Sequence, residues 1–150
     1  MAGRNAQGSR ILHSAGGSVS TFLEVEHVTN ISGPNGQAAN IDVTDLRSTG
    51  KENLPGLPDY GTLQLDINYT GATVQAALFT MFSAHSDPQS FKLALPTDAT
   101  EAAFDVFAFI ASVSGCVFGA KVDDKQTMQI TLKTSGAVTR TEAVLEADLA

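Results

Sequence analysis

Residues 62–69 read Thr62-Leu63-Gln64-Leu65-Asp66-Ile67-Asn68-Tyr69, with apolar side chains at the odd positions and polar ones at the even positions. Successive side chains of a strand point to opposite faces, so this run predicts a strand with one face on a core and the other in water. The same alternation recurs, in part more weakly, at residues 23–27, 41–44, 91–95 and 128–133. The chain is therefore predicted to be mainly β.

Two other segments depart from this pattern. Residues 104–111 are apolar on both faces after Asp105, which predicts a strand that is covered on both sides or meets a partner. Helical spacing instead relates the apolar side chains of Val74, Ala77, Leu78, Met81 and Phe82. This stripe predicts one short helix packed against a sheet, with Thr70 or Thr73 as its N-cap.

Turn residues divide the chain further. The Pro34-Asn35-Gly36 sequence predicts a hairpin that joins residues 20–31 to residues 38–46. Residues 47–60 contain two prolines and two glycines without either period, which predicts a long functional or disordered loop. We expect residues 1–19 to be a flexible N-terminal arm and residues 141–150 a C-terminal tail, which leaves one β domain at residues 20–140.

Composition excludes several classes of protein. The 150 residues include 16 Asp+Glu and 9 Lys+Arg, and the net charge of −7 argues against a basic face that grips nucleic acid. A hydrophobic fraction of 43% excludes wholesale disorder. The single cysteine, Cys116, excludes an internal disulfide framework and a cysteine-based zinc cluster. No secretory signal or membrane-spanning stretch is evident, so we expect a soluble protein made inside the cell.

The residues with reactive side chains form no recognisable catalytic set. The three histidines, His13, His27 and His85, fall in the expected arm, a strand and a turn after the helix. Gly50-Lys51 lacks the earlier glycine and the following Ser or Thr of a phosphate-binding loop. We therefore expect no catalytic residue, no metal site, no cofactor and no enzymatic activity. A β-rich, acidic domain with a long loop and excess apolar surface has instead the properties of a subunit.

Several stretches resemble the major tail tube proteins of long, non-contractile-tailed bacteriophages. They are residues 41–46 (Ile-Asp-Val-Thr-Asp-Leu), residues 54–61 (Leu-Pro-Gly-Leu-Pro-Asp-Tyr-Gly) and the alternating strand that follows. The helix, the strand at 91–96 and the aromatic strand from Phe104 keep the family's order, so the resemblance covers roughly residues 20–140. It implies a β-sandwich or partly closed β-barrel with one flanking α-helix.

The resemblance also implies a function and partners. The chain would be a structural virion protein that self-assembles into six-subunit rings, stacked into a helical tube through which DNA is ejected into the host. Further partners would be the tape-measure, tail-tip and tail-terminator proteins, with DNA passing without specific binding and no membrane contact. Its location would be the virion tail, after assembly in the cytoplasm of the host bacterium.

Two sets of residues are expected to serve this assembly. The loop that would order onto the next subunit contains Leu54, Pro55, Gly56, Leu57, Pro58, Asp59 and Tyr60, with Leu54, Leu57 and Tyr60 as anchors. An acidic wall would let DNA slide, because it offers no cations to bind phosphate. The candidates for such a wall are Glu24, Glu26, Asp42 and Asp66.

Other functions stay open at this point. A secretion-system tube protein of the Hcp-like kind would share the architecture and carry effectors rather than DNA. A tail terminator or capping protein would stop at a single ring. A small β-sandwich enzyme or ligand-binding module would require a deep pocket with convergent titratable groups.

Overall fold

The computed structural model describes residues 6–14, 22–97, 103–145 and 148–149. The elements in this part of the chain are β1 (Arg10–Ser14), β2 (Phe22–Glu24), β3 (Val28–Ser32), β4 (Gln37–Asp42), β5 (Asn53–Asp59), β6 (Thr62–Asn68), α1 (Thr73–Ser83), β7 (Gln89–Pro96), β8 (Ala103–Gly119) and β9 (Thr127–Leu145). Seven strands form one antiparallel sheet in the order β2-β1-β7-β8-β9-β6-β3, while β4 and β5 form a separate two-stranded ribbon.

The long strands β8 and β9 divide the sheet into two halves. Residues 104–111 of β8 pair with β7, whereas the end of β8 pairs with the start of β9, which pairs in turn with β6. Register shifts interrupt the β8–β9 ladder between Ala108 and Ile110 and between Val113 and Gly115. Such bulges bend a sheet. We call the part with β2, β1 and β7 the β7 half-sheet, and the part with β6 and β3 the β6 half-sheet.

The two half-sheets face each other across one core. Leu63, Leu65 and Ile67 of β6 are buried in the same cluster as Ile11 of β1 and Phe91 of β7. Strands from opposite ends of the sheet order thus meet through their side chains, as in a β-sandwich that is partly closed into a barrel. The predicted fold class is confirmed, and so is the predicted alternation along β6.

The segment predicted to be apolar on both faces is covered on both sides. Phe104 and Val106 belong to a second buried cluster, whereas Phe109 and Ala111 belong to the main core. Even and odd positions of a strand point to opposite faces, so the alternation along β8 lets one strand contribute to both clusters.

The predicted helix is confirmed, but its predicted N-cap is wrong. Leu78 and Met81 are buried against the core, as the apolar stripe requires. The N-cap position is occupied by Ala72, without a side-chain cap. The backbone N–H of Thr70 donates instead to Oε1 of the buried Gln75 at 3.0 Å, and Gln75 Nε2 donates to the carbonyl oxygens of Glu26 and Asn68. The side-chain amide of Gln75 therefore binds backbone groups before the helix, which has no side-chain cap at the N-cap position.

The turn at residues 33–36 does not form the predicted hairpin. β3 pairs with β6, and β4 pairs with β5, so this turn leads from the sheet into the ribbon. Its glycine serves a close approach: a Cβ at Gly33 would lie 2.5 Å from the carbonyl oxygen of Thr62. Asn35 N–H donates to the same oxygen at 3.2 Å. The local turn signal is correct, but it does not specify which strands pair.

The predicted irregular loop at residues 47–60 is wrong for half of its length. Asn53–Asp59 forms β5, and only the shorter segment between β4 and β5 is a connection. The ribbon has no face on the core, so β5 carries no polarity alternation from which it could be recognised. The predicted strands at 23–27 and 41–44 are also displaced, because β2 ends at Glu24 and β4 at Asp42.

Both expected tails contain ordered structure. Arg10–Ser14, within the expected N-terminal arm, is β1 and lies between β2 and β7. Ile11 and Leu12 are buried on opposite faces of this strand, which explains why it lacks alternation. The expected C-terminal tail begins within β9, and Leu149 is buried in the second cluster. Residues 1–5, 15–21, 146–147 and 150 lie outside the described residues.

Candidate functional site: the assembly surfaces

The β4–β5 ribbon exposes the apolar residues that sequence reasoning assigned to an interface. Leu54 is 55% exposed and Leu57 is 92% exposed, and the connection between the two strands adds an exposed Leu46. Gly56 faces Ala39 so closely that a Cβ there would lie 3.0 Å from the Ala39 carbonyl oxygen. Large exposed apolar side chains grouped on one element indicate a surface that is covered by a partner.

An ion pair fixes the base of the ribbon. Asp59 accepts hydrogen bonds from Gly61 N–H at 2.9 Å and from Lys133 Nζ at 3.1 Å. The Gly61 N–H, and after it the Lys133 ammonium, lower the pKa of Asp59. Asp59 therefore ties the ribbon to β9 within its own chain, while Tyr60 follows it at the half-buried base.

The β6 half-sheet carries polar side chains on the face opposite the core, which we call the polar face. Asp66 lies at its centre, in register with Asn30 of β3 and Gln129 of β9. Its Oδ2 accepts from Asn30 Nδ2 at 3.2 Å and its Oδ1 from Gln129 Nε2 at 2.9 Å. Uncharged amides hold this carboxylate. Lys133, at the other end of β6, is paired with Asp59, whereas Lys125 lines the same cleft as Asp66.

The four acidic candidates do not come together. Asp66 is on the polar face, whereas Glu24 ends β2 in the β7 half-sheet and Glu26 lies in the turn after it. Asp42 ends β4 in the ribbon, where hydrogen bonds from the hydroxyl and then the N–H of Thr44 lower its pKa. Sequence periodicity identifies exposed acids but does not assign them to a common surface.

Three long strand edges have no partner among the described residues. β3 pairs on one side only, with β6. Residues 112–119 of β8 extend past the end of β7, and residues 135–145 of β9 extend past the end of β6. Sequence reasoning missed the β9 edge. The signal for it was weak: residues 127–145 contain no proline and only one glycine, Gly136, so nothing in them requires an early end to the strand.

The groups considered for chemistry are dispersed or buried. His13 lies in β1 rather than in a loose arm: its Nε2 is 2.6 Å from Gln89 Oε1 and its ring stacks on Phe91. Burial lowers the pKa of His13 and raises that of the half-buried Cys116 thiol. Within the described ranges, no group of three or more His, Cys, Asp or Glu side chains is placed to hold a metal ion.

No helix found in the described segments is both long and apolar enough to cross a bilayer.

Comparison of the sequence with protein-family models and with curated proteins found no match. Comparison of the fold with solved structures found matches. The tail of an empty gene transfer agent particle, refined with C6 symmetry, matches with a TM-score of 0.75 and 14% identity over 93% of this chain and 99% of that one. The SPP1 tail tube gives a TM-score of 0.67 and 12% identity, covering 92% and 78% of the two chains.

A tube-terminating structure has the same fold. The cap of the anti-feeding prophage matches with a TM-score of 0.67 and 16% identity over 95% of each chain. The predicted resemblance is thus confirmed at the level of the fold, over nearly the whole length of the chain. This protein has the tail-tube fold.

Proposed function

We propose that this chain is a structural tail tube subunit, whose copies form rings that stack into the hollow tube of a virion tail. The observation that carries the proposal is the β6 half-sheet, which has a core on one face, the polar face on the other and a free edge at each side. The similar folds in the gene transfer agent tail and the SPP1 tail tube support it.

In the proposed ring, β3 of one copy lies beside residues 112–119 of β8 in the next. Each copy then contributes four strands, which at about 4.8 Å per strand and six copies gives a wall about 115 Å around. The wall is about 37 Å wide for upright strands and about 48 Å wide for strands tilted by about 40°. Either width admits a DNA duplex of about 20 Å after side chains are added.

The polar face would line the channel. Its amides and hydroxyls are uncharged, Lys133 is paired with Asp59, and Lys125 shares a cleft with the carboxylate of Asp66. Phosphates bind proteins chiefly through lysine and arginine, so this surface would let DNA pass without holding it. Among the four acidic candidates, Asp66 is the one that we assign to the channel, because Glu24, Glu26 and Asp42 lie on other surfaces.

Stacking of rings would use the ribbon, with Leu54, Leu57 and Tyr60 as anchors. A heterologous contact that closes around a ring and stays open along its axis generates a tube. Tape-measure, tail-tip and terminator proteins would complete the tail. Assembly would take place in the cytoplasm of the host bacterium.

Electron microscopy of the purified protein tests the proposal. At high protein concentration we expect hollow tubes with a regular ring repeat, and antibody against this chain should label the tail shaft of virions. A virion whose shaft consists of a different polypeptide, with this chain absent, would overturn the proposal.

A tube-terminating ring is the second candidate function. The anti-feeding prophage cap and the terminator of the PVC injection system have the same fold as this chain, with TM-scores of 0.67 and 0.71. A terminator would form single rings that do not stack, and antibody would label one end of the shaft. The same micrographs therefore separate the two functions.

A further inference from the structure

The free edge of β9 is long, although two register shifts, between Ser135 and Thr139 and between Thr141 and Val144, interrupt its pairing with β8. The last ten residues of β9, 136–145, lie beyond Lys133, where the pairing with β6 ends. No described strand lies against that side. Their side chains are mostly exposed, and the sequence contains no proline. Natural proteins usually shorten, block or cover such an edge, because its backbone groups can pair with another chain.

Few of the described strands have an outer edge that could pair with this one. The proposed ring contact uses β3 and residues 112–119 of β8. β2 has three residues and is too short to cover ten. Among the described strands, this leaves the two of the ribbon, β4 and β5, each of which has one outer edge that could pair with β9.

The outer edge of β5 is blocked. Val43 N–H donates to the Glu52 carbonyl oxygen at 2.9 Å, which fixes the alternation of hydrogen-bonded and non-bonded pairs along the ribbon. By that alternation Pro55, opposite Asn40, occupies a non-bonded pair and faces outward, where it has no N–H to donate. Pro58 removes a second donor. Prolines at such positions prevent a further strand from adding.

The outer edge of β4 is open. The same alternation directs the backbone N–H and C=O of Asn40 and Asp42 away from β5. β4 has six residues and no proline, so it fits within the ten residues of the β9 edge. Arg140 and Glu142 of that edge bind each other at 2.6 Å. Arg140 also binds Asp105 of β8 at 3.1 Å, so this edge presents a guanidinium shared by two carboxylates to Asp42, the only charged residue of β4.

We propose that β4 of one copy pairs as an added strand with residues 136–145 of β9 in another copy. This inference rests on the proposed function and names the surface that receives the ribbon. The backbone bonds would fix the register between copies, while Leu54 and Leu57 on β5 pack by side-chain contact alone. A ribbon with one open and one blocked edge can join one neighbour without propagating into a fibre of ribbons.

Cysteine cross-linking of assembled tubes tests the pairing. In a Cys116→Ala background, Asn40→Cys with Thr141→Cys should give, with a short thiol cross-linker, a ladder of multimers on a denaturing gel. Each single variant should give none. The matched control is Asn53→Cys with Thr141→Cys, which places an exposed thiol on the blocked strand, outside the proposed anchors, and should cross-link at least tenfold less.

Three results would overturn the inference. Dimers from Asn40→Cys alone would mean that β4 pairs with itself, and an equal ladder from the Asn53→Cys control would mean that the ribbon is close to β9 without pairing with it. Hydrogen exchange of the unmodified protein gives an independent answer, since amides of β4 and of residues 136–145 should become protected together on assembly. Tubes in which residues 136–145 exchange as fast as in the free subunit would refute the pairing but leave the proposed function intact. Absence of tubes would refute the proposed function itself.

Discussion

Asp66 is a carboxylate that uncharged side-chain amides hold in place on the polar face. Its two carboxylate oxygens accept hydrogen bonds from Asn30 and Gln129 on the two neighbouring strands. In the proposed channel the carboxylate would repel phosphate, while the amides keep its position fixed.

Reversing this charge should slow DNA passage. Asp66→Lys would place six ammonium groups around the proposed channel, each able to bind a phosphate. We expect genome ejection from intact tails to slow by tenfold or more, with the slowing reduced at high salt. Asp66→Asn is the control, since it removes the charge without adding a cation. Ejection at the normal rate from Asp66→Lys tails of normal length would place Asp66 outside the channel.

His13 makes the stability of the subunit sensitive to acid. Burial lowers its pKa in the folded state below the ordinary value of 6.5, so the unfolded chain binds a proton more readily than the folded one. The free energy of unfolding should therefore decrease as the pH falls below about 6.5, by at most about 1.4 kcal/mol per pH unit from this group, until the folded-state pKa is reached.

Urea denaturation between pH 5 and 7 measures this effect. His13→Phe keeps the packing on Phe91 but cannot be protonated, so the difference in unfolding free energy between the two proteins should change over that range. Parallel pH profiles would show that His13 does not titrate on unfolding. The role of His13 was hidden in the sequence, because β1 is buried on both faces and therefore lacks the alternation that reveals β6.

A secondary-structure element can be predicted from the sequence when it buries one face and exposes the other to water. β6 and α1 follow from periodicity, since each buries one face and exposes the other. β5 could not be found in this way, because both of its faces are exposed and its prolines read as a loop. Likewise, the surfaces proposed for assembly are strand edges. An edge consists of backbone groups, so it produces no periodic pattern of side chains in the sequence.

The apolar side chains of the ribbon should control tube assembly without affecting the fold. Burial of a leucine contributes about 1.5–3 kcal/mol, so Leu54→Ser with Leu57→Ser should weaken each contact by about 3 kcal/mol or more. That corresponds to a critical concentration at least about a hundredfold higher, measured by pelleting. The midpoint of thermal unfolding should stay within about 2 °C, because both side chains are exposed in the subunit.

The control for this variant lies elsewhere on the surface. Val122, in the β8–β9 connection, is 92% exposed, the same fraction as Leu57. Val122→Ser should leave the critical concentration within threefold of the original. Equal losses from both variants would mean that general surface hydrophobicity, and not the ribbon, drives assembly.

For the whole molecule, the sequence predicts a β-sandwich, but it does not predict that the sheet divides into two half-sheets. Alternating strands predict a layered β fold, yet the bend that separates the two half-sheets depends on bulges in β8 and β9. Two of these register shifts contain a glycine, Gly115 in β8 and Gly136 in β9, but a glycine is equally compatible with a turn, so the sequence does not identify the bulges. The extent of the polar face and the position of the free strand edges can therefore be read from the structure but not from the sequence.

The net charge of the subunit should make assembly depend on salt. A proposed ring of six carries about −42, six times the −7 of one chain, and these charges repel both within a ring and between rings. The Debye length falls from about 10 Å at 0.1 M salt to about 3 Å at 1 M, so added salt screens this repulsion. We expect the critical concentration for tubes to fall at least tenfold between about 0.02 M and 0.5 M sodium chloride. Contacts made by strand pairing and apolar packing are not weakened over that range, unlike ion pairs. Tubes that dissociate as salt rises would mean that the subunits are held together by opposite charges, which the strand-edge arrangement does not provide.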